Sequence, residues 1–336
     1  MRCIAGSWDL IIPSELLQEI LSRLVLKDNL HASLVCKTWC EASVSVRKLQ
    51  PWLLYPALEE SSGTCSHYIL FDPLGFQTHQ QRFPELKDHE LCYSRDGWLV
   101  VRNGYPSVFF LNPFTRERIN LPWGWSPEFS SYYCLAFSAA PTSSSCVVIS
   151  LKQIWCHDYL FIHTWLPGET VWTPHRFENQ LRPQRKWTQC VFSNGMFYWL
   201  SACGYLGVFD PSRATWNVLQ VKPCPANFVR PMLMTEHEGN IFVMYKCGRS
   251  YQPVFKLNLE RKVWEEKREL GGLTVFSSYS TPLTRAGPSA EEKNMLYERL
   301  GSSYYLANDK SLFVPLGVHV GFRRIALVDP PQLVKL

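Results

Sequence analysis

Trp8-Asp9-Leu10-Ile11-Ile12-Pro13-Ser14-Glu15-Leu16-Leu17 opens a stretch that runs through Ile20-Leu21, Leu24 and Asp28-Asn29-Leu30 to Leu34-Val35-Cys36-Lys37-Thr38-Trp39. Pro13 has a fixed φ and no N–H to lose, which suits the first turn of a helix. The apolar residues at 16, 17, 20, 21 and 24 then recur at helical spacing, so a first helix is expected to stop near Leu24. Asp28 or Asn29 is placed to cap a second short helix with Leu30, Leu34 and Val35, and a third carries Trp39 and Val46 toward Pro51. Three short helices cannot bury all of these side chains among themselves, because small domains leave a large share of their surface exposed. Some of the apolar face therefore needs a partner.

The ordered set Pro13, Glu15, Ile20, Leu21, Cys36, Lys37 and Trp39 is more specific than its patterning. It resembles an F-box, whose family pattern is Leu-Pro, then Glu-Leu, an Ile-Leu pair, an Asp-Leu step and a Val-Cys-Lys-x-Trp ending. Here Ile12 stands for the first Leu, and Asn29 is inserted in the Asp-Leu step. The resemblance implies that Ile12, Pro13, Leu16, Ile20, Leu21, Val35, Cys36 and Trp39 bind a Skp-family adaptor, through which a cullin and a RING subunit are reached. The expected F-box spans residues 8–52.

The whole chain, at 336 residues, points to about two domains. With 46% hydrophobic and 14% aromatic residues it has enough apolar mass for a sizeable core and is not a disordered chain. The net charge of +5 is spread along the sequence, and neither Arg182 to Lys186 nor Arg323-Arg324 is a run long enough to argue for nucleic acid. Asp9 and Glu15 interrupt any secretory apolar segment, and no apolar run reaches the ~18 to 20 residues that cross a bilayer. The expected location is cytosolic or nuclear, away from membrane. Twelve scattered cysteines without a C-x-x-C fit reduced, mostly buried thiols in such a compartment rather than a zinc site.

Beyond a boundary near residues 50–60 the texture changes. Short β-branched and aromatic runs alternate with Gly, Asn, Asp and Pro turns, which is the pattern of an all-β region. One unit, an apolar pair followed by Asp or Asn, recurs as Leu70-Phe71-Asp72-Pro73, Phe110-Leu111-Asn112-Pro113, Val208-Phe209-Asp210-Pro211, Lys256-Leu257-Asn258 and Leu327-Val328-Asp329-Pro330. Thr164-Trp165-Leu166-Pro167-Gly168 is a degenerate copy. A second unit precedes it: a tight turn and a strongly apolar strand, as in Asp96-Gly97-Trp98-Leu99 and Asn194-Gly195-Met196-Phe197. A Trp follows the Asp/Asn turn at Trp216 and Trp264. Strand, turn, strand and Trp repeated every ~40 to 50 residues is how propeller blades present themselves.

Three stretches, Phe110 to Pro122, Asp96 to Val101, and the tail Leu300 to Leu306 with Gly321 to Asp329, resemble the kelch-like propeller of a large plant F-box family, although the double glycine of a kelch repeat is absent. The expected fold is therefore multidomain: a small all-α F-box of three helices, then an all-β propeller over residues 60–336 with six blades. Residues Phe276 to Glu292 are expected to be a polar insertion. The segment after it reads two ways: Ser289 with Glu292 has capping-box spacing for a short helix, whereas the resemblance implies a hairpin turning at Gly301-Ser302, and the hairpin is preferred. Closure of the ring requires the last strand, Ile325 to Asp329, to pair early in it.

No phosphate-cradling, nucleophile-elbow or zinc-protease motif occurs. His157-Asp158 beside Trp155 and Cys156 is the one place where His, Cys and a carboxylate meet, and neighbours on a strand point to opposite faces. No catalytic residue, cofactor site or metal site is assigned. The resemblance implies an adaptor that recruits a protein substrate to a Skp-cullin-F-box ubiquitin ligase and does no chemistry itself. The alternatives are a propeller enzyme or sugar-binding protein, since fold does not fix function, and a Skp-bound F-box protein outside a ligase. For the substrate, loops that combine Trp and Arg are the candidates, namely Trp123, Trp125, Arg185 and Trp187.

Overall fold

A computed structural model describes residues 12–24, 26–46, 51–57, 67–72, 77–87, 89–103, 107–122, 132–153, 158–179, 186–222, 224, 232–245, 254–267, 271–277, 283–286, 295–298, 302–305, 311–313 and 326–330. The first helix, α1 (Ser14–Ser22), begins directly after Pro13, whose carbonyl accepts from the Leu17 N–H at 3.1 Å. It ends slightly short of Leu24. Helix α2 (Leu26–Ala32) starts before Asp28 rather than after it, so the acidic side chain sits in the first turn and not at the cap. Helix α3 (Lys37–Val46) carries Trp39 and Val46 as the spacing predicts. Leu17, Leu21, Ala32 and Ala42 close a small core of their own, with Ile12, Trp39 and Val46 packed against it.

Every remaining described element except one short 3-10 turn is a strand. The first blade is ordered β25 (Ala326–Val328), β1 (Trp52–Pro56), β2 (His67–Asp72), β3 (Gln77–Arg82). It begins before the expected start at residue 60, because Trp52–Pro56, shortly after the three-helix hook of residues 12–46, already form a strand. The second blade holds β4 (Glu90–Arg95), β5 (Trp98–Asn103), β6 (Ser107–Leu111) and β7 (Arg118–Asn120). The third holds β8 (Tyr132–Phe137), β9 (Val148–Gln153), β10 (Tyr159–Trp165) and β11 (Thr173–Glu178). The fourth holds β12 (Trp187–Ser193), β13 (Met196–Ser201), β14 (Leu206–Asp210) and β15 (Thr215–Val218). The fifth holds β16 (Met232–His237), β17 (Asn240–Tyr245), β18 (Val254–Asn258) and β19 (Val263–Lys267).

All five are four-stranded antiparallel sheets, so among the described residues the regular blades number five where six are expected. The strands after them build a mixed sheet instead, ordered β21 (Leu283–Ala286), β20 (Leu273–Ser277), β22 (Met295–Glu298), β23 (Ser302–Tyr305), β24 (Ser311–Phe313). Strand β20 runs parallel to β22, with Val275 opposite Leu296, which a simple meander forbids. The stretch expected to be a polar insertion supplies β21, and the hairpin reading of the following segment holds, with Glu298 opposite Ser302. Closure also holds: β25 pairs antiparallel with β1, Leu327 opposite Leu53. The copy of the repeat at Asp329 thus ends an innermost strand, whereas Asp72, Asn112, Asp210 and Asn258 follow or end third strands. That is why this copy falls outside the ~40 to 50 residue period.

The repeated sequence units have local physical causes. Asp96-Gly97, Asn194-Gly195 and Glu238-Gly239 each place both residues at positive φ, from 47° to 79°, the geometry of a two-residue hairpin turn. Further along, the side-chain oxygens of Asn112, Asp210 and Asn258 accept backbone N–H groups of Phe114, Ser212 and Arg261 at 2.9 Å. These caps turn the chain from third to fourth strand. Glu169 takes that role in the degenerate copy, its carboxylate accepting from the Leu166 N–H at 2.9 Å.

Between the blades the apolar faces interlock. Leu54, Leu70, Leu99, Phe109 and Val328 join the first blade to the second. Phe110, Phe137, Ile149, Ile162, Phe197 and Trp199 run through the second, third and fourth. Val191, Leu206, Met234 and Val243 join the fourth to the fifth. Innermost strands pack in succession, β25 on β4, β4 on β8, β8 on β12, β12 on β16 and β16 on β21.

Candidate functional site

The meander order gives the ring two unlike ends. Connections from first to second and from third to fourth strand emerge on one end, which includes the three tight hairpins and the Asn/Asp turns. This turn face is tied together: Asn194 Nδ2 donates to the Gly239 carbonyl at 3.3 Å, linking neighbouring blades. The opposite end carries connections of very unequal length, from residues 104–106 to residues 219–231. Strand β1 starts on the turn face, so the hook joins the ring there.

On the hook, the sequence candidates divide by burial. Leu16, Ile20 and Val35 are 57%, 52% and 64% exposed, and Pro13 is exposed beside them. Ile12, Cys36 and Trp39 are half-buried. Leu21, in contrast, is 1% exposed and belongs to the hook's own core, so its assignment to the docking face is corrected. The reason is helical geometry: residue 21 lies one turn from Leu17 on the inward face, while 16 and 20 share the outward one. Leu24, Leu34 and Val44 are exposed as well, and the sequence reading left them out of the docking set.

Asn29, inserted in the Asp-Leu step of the family pattern, has a structural task. It is 2% exposed, and its Nδ2 reaches the carbonyls of Leu21 at 3.4 Å and Ser43 at 3.3 Å, tying α2 to the other two helices. The Leu21 carbonyl also accepts from the Leu24 N–H at 3.3 Å, so the amide adds a link between helices to an end that the backbone already caps.

Of the substrate candidates, Trp123, Trp125 and Arg185 lie outside the described residues, as do Trp155, Cys156 and His157. Trp187 is 3% exposed, packed edge-on against Trp216 at 5.1 Å, with its backbone N–H toward the Gln153 side chain at 3.4 Å. It is a core residue between the third and fourth blades, and its assignment to a substrate surface is corrected. The residues flanking 123–131 and 180–185 nevertheless both sit at the end opposite the turn face. At that end of the third blade, Asp158, Tyr159, Arg176, Phe177, Glu178 and Asn179 line a cavity of about 600 Å³. The Arg176 guanidinium lies 4.2 Å from the Tyr159 ring centre, and Asn179 N–H donates to the Asp158 carbonyl at 2.7 Å. Sequence reading missed this site because its residues come from two strands whose pairing only the sheet supplies.

Burial holds three thiols and one imidazole of the ring in their neutral forms. Burial pushes the Cys134 thiol up to about 12 and Cys146 to about 11, and it raises Cys190 well above the usual thiol range. Burial, then the Lys152 charge and His175, pulls His163 down to about 4. Such thiols are poor nucleophiles. No cluster of three metal-ligating side chains is found among the described residues, and no described helix is long and apolar enough to cross a membrane.

The comparisons agree with this build. An F-box domain model matches residues 10–50, and the KIB1-4 beta-propeller model matches residues 70–297. The chain belongs to the KIB1-4 beta-propeller family of F-box proteins. An Arabidopsis thaliana F-box/kelch-repeat protein is 53% identical over 87% of this chain and 80% of its own length. Two Arabidopsis F-box proteins are 41% identical over 82% of this chain and 74% of their counterpart, and 40% over 86% and 61%. A putative 6-phosphogluconolactonase from Bacteroides fragilis covers 64% of the chain and 80% of its own at 9% identity and a TM-score of 0.38, too low to bear on function. This chain thus pairs an F-box with a propeller. F-box domains in general bind Skp-type adaptors, and the pairing is that of a substrate-recognition protein.

Proposed function

We propose that this chain is the substrate-recruiting subunit of a Skp-cullin-F-box ubiquitin ligase, acting in the cytosol or nucleus as an adaptor rather than an enzyme. The hook binds the Skp adaptor, which brings the cullin and RING subunits, and the ring end opposite the turn face holds a protein substrate. The mixed sheet takes the sixth place in the ring. The observation that carries the reading is the division of the hook's apolar residues: Leu17 and Leu21 fill its own core, while Leu16, Ile20 and Val35 stay in solvent. An isolated domain has no reason to keep three large aliphatic side chains outward on so small a surface, and their burial against an adaptor is worth ~1.5 to 3 kcal/mol each.

The test is reconstitution. The full chain is mixed with a Skp adaptor, cullin and RING subunit, and capture and ubiquitin transfer are both read. Capture with transfer supports the ligase reading. Capture of the adaptor without cullin or transfer supports a Skp-bound role outside a ligase, and no capture removes the proposal.

A further inference from the structure

The cavity at the rim of the third blade is built around the mouth of one hairpin. Strands β10 and β11 place Tyr159 directly opposite Glu178 and Phe161 opposite Arg176, and one step further out the Asn179 N–H donates to the Asp158 carbonyl at 2.7 Å. Alternation along a strand puts Tyr159, Arg176 and Glu178 on one side of the hairpin and Asp158 and Phe177 on the other, so the lining wraps around its end.

The aromatic walls are held from behind. Tyr159 takes Phe161 edge-on at 5.4 Å and carries the Arg176 guanidinium over its ring at 4.2 Å. Phe177 packs edge-on against the buried Phe209 of the fourth blade, centres 6.1 Å apart, and beside His175, which burial holds below its usual range and so uncharged at neutral pH. Three exposed charges, Asp158, Arg176 and Glu178, stand around these rings, and they are not equivalent. The guanidinium already has the Tyr159 ring as its partner, whereas neither carboxylate enters an ion pair with another described residue. Lys152, beside Phe161 on β9, is 6% exposed and does not line the cavity.

Two carboxylates against one engaged guanidinium, set among aromatic walls, complement a cation with an apolar stem. The carboxylates accept from its N–H groups and the rings cover its methylenes. A volume of about 600 Å³ lies within the ~300 to 1,000 Å³ that encloses a small ligand, so one long side chain fits with its flanking peptide groups. We propose that this cavity recognises a basic side chain, arginine or lysine, of an extended substrate segment, with Asp158 and Glu178 receiving the charge and Tyr159 and Phe177 the stem. The inference rests on the recruiting role proposed above and names the chemistry by which that role selects its substrate.

The experiment uses the full chain and three fluorescein-labelled pentapeptides, Ser-Gly-X-Gly-Ser with X arginine, citrulline or glutamate, read by anisotropy at low salt. The arginine peptide is expected to bind. Citrulline keeps its shape and loses its charge, and that peptide is expected not to bind, nor is the glutamate one. Glu178→Gln and Asp158→Asn are each expected to weaken the arginine peptide about fivefold, the scale of a partly exposed pair, and Arg176→Gln is expected to tighten it. All three positions are exposed, so melting temperatures are expected to match the parent. No binding of the arginine peptide, equal binding of the citrulline peptide, or unchanged affinity in both carboxylate variants overturns the site. Preference for the glutamate peptide, abolished by Arg176→Gln, overturns it in favour of an anion. The peptide assay needs no adaptor, so its failure leaves the recruiting role standing, and failure of the reconstitution alone removes that role while the basic-peptide site stands.

Discussion

Leu327 stands directly opposite Leu53 in antiparallel register, so the chain's last described strand is the innermost strand of its first blade. Both flanking residues of that last strand, Ala326 and Val328, are fully buried. The ring is thus closed by hydrogen bonds between the two ends of the propeller rather than by the meander alone, and β1 is not left as an edge strand of the first blade. Deleting residues from Gly321 onward is expected to abolish the single cooperative melting transition, as read by calorimetry. A truncated chain that melts in one step near the parent temperature would show that closure contributes little.

On the hook, burial separates docking from folding. Pro13→Ala with Leu16→Ala is expected to abolish adaptor co-purification while the melting temperature is kept, because Leu16 lies in solvent and is worth ~2 kcal/mol at an interface. Leu21→Ala is expected to do the reverse first, unfolding the hook by ~2 to 5 kcal/mol through a cavity in its own core. Circular dichroism of the helices alongside pull-down distinguishes the two, and equal helicity loss in both variants would contradict the division.

Gly207 in the fourth blade faces the rings that the repeat places there. A Cβ added at this position would lie 2.1 Å from the Trp216 ring and 3.0 Å from Trp187. Gly207→Ala is therefore expected to cost more than Gly195→Ala, where the added carbon meets nothing and only the positive φ of 79° is strained, at ~1 to 2 kcal/mol. Denaturant midpoints for the two variants check the order.

His163 links stability to acid. Its folded imidazole, held down to about 4 chiefly by burial, stays neutral where an unfolded histidine near 6.5 takes a proton. The unfolded state binds more protons in that window, so this contribution is present above pH 6.5 and is lost as pH falls toward 4. His163→Gln is expected to flatten the fall in stability across that range relative to the parent. Parallel curves for parent and variant would place the proton uptake elsewhere.

The sequence by itself determined what is local. Pro13 and the helical spacing of apolar residues made the first helix of the hook, the Asp-Gly and Asn-Gly pairs made hairpins, and Asn112, Asp210 and Asn258 capped the turns that follow. Each of these depends on φ preferences and on groups a few residues apart, which a linear pattern records. What required the tertiary structure is whatever depends on a partner distant in the chain. Leu16 and Leu21 are both leucines on one helix, and only the packing of α2 and α3 decided which would be buried. Trp187 reads as a loop aromatic until the third blade closes over it, and Asn29 reads as a flaw in a motif until two helices present their carbonyls to it. The parallel pairing of β20 with β22 and the arrival of β25 beside β1 follow the same rule. A strand's hydrophobic pattern states that it will be paired, and the register and identity of its neighbour are chosen by the buried area of the whole ring.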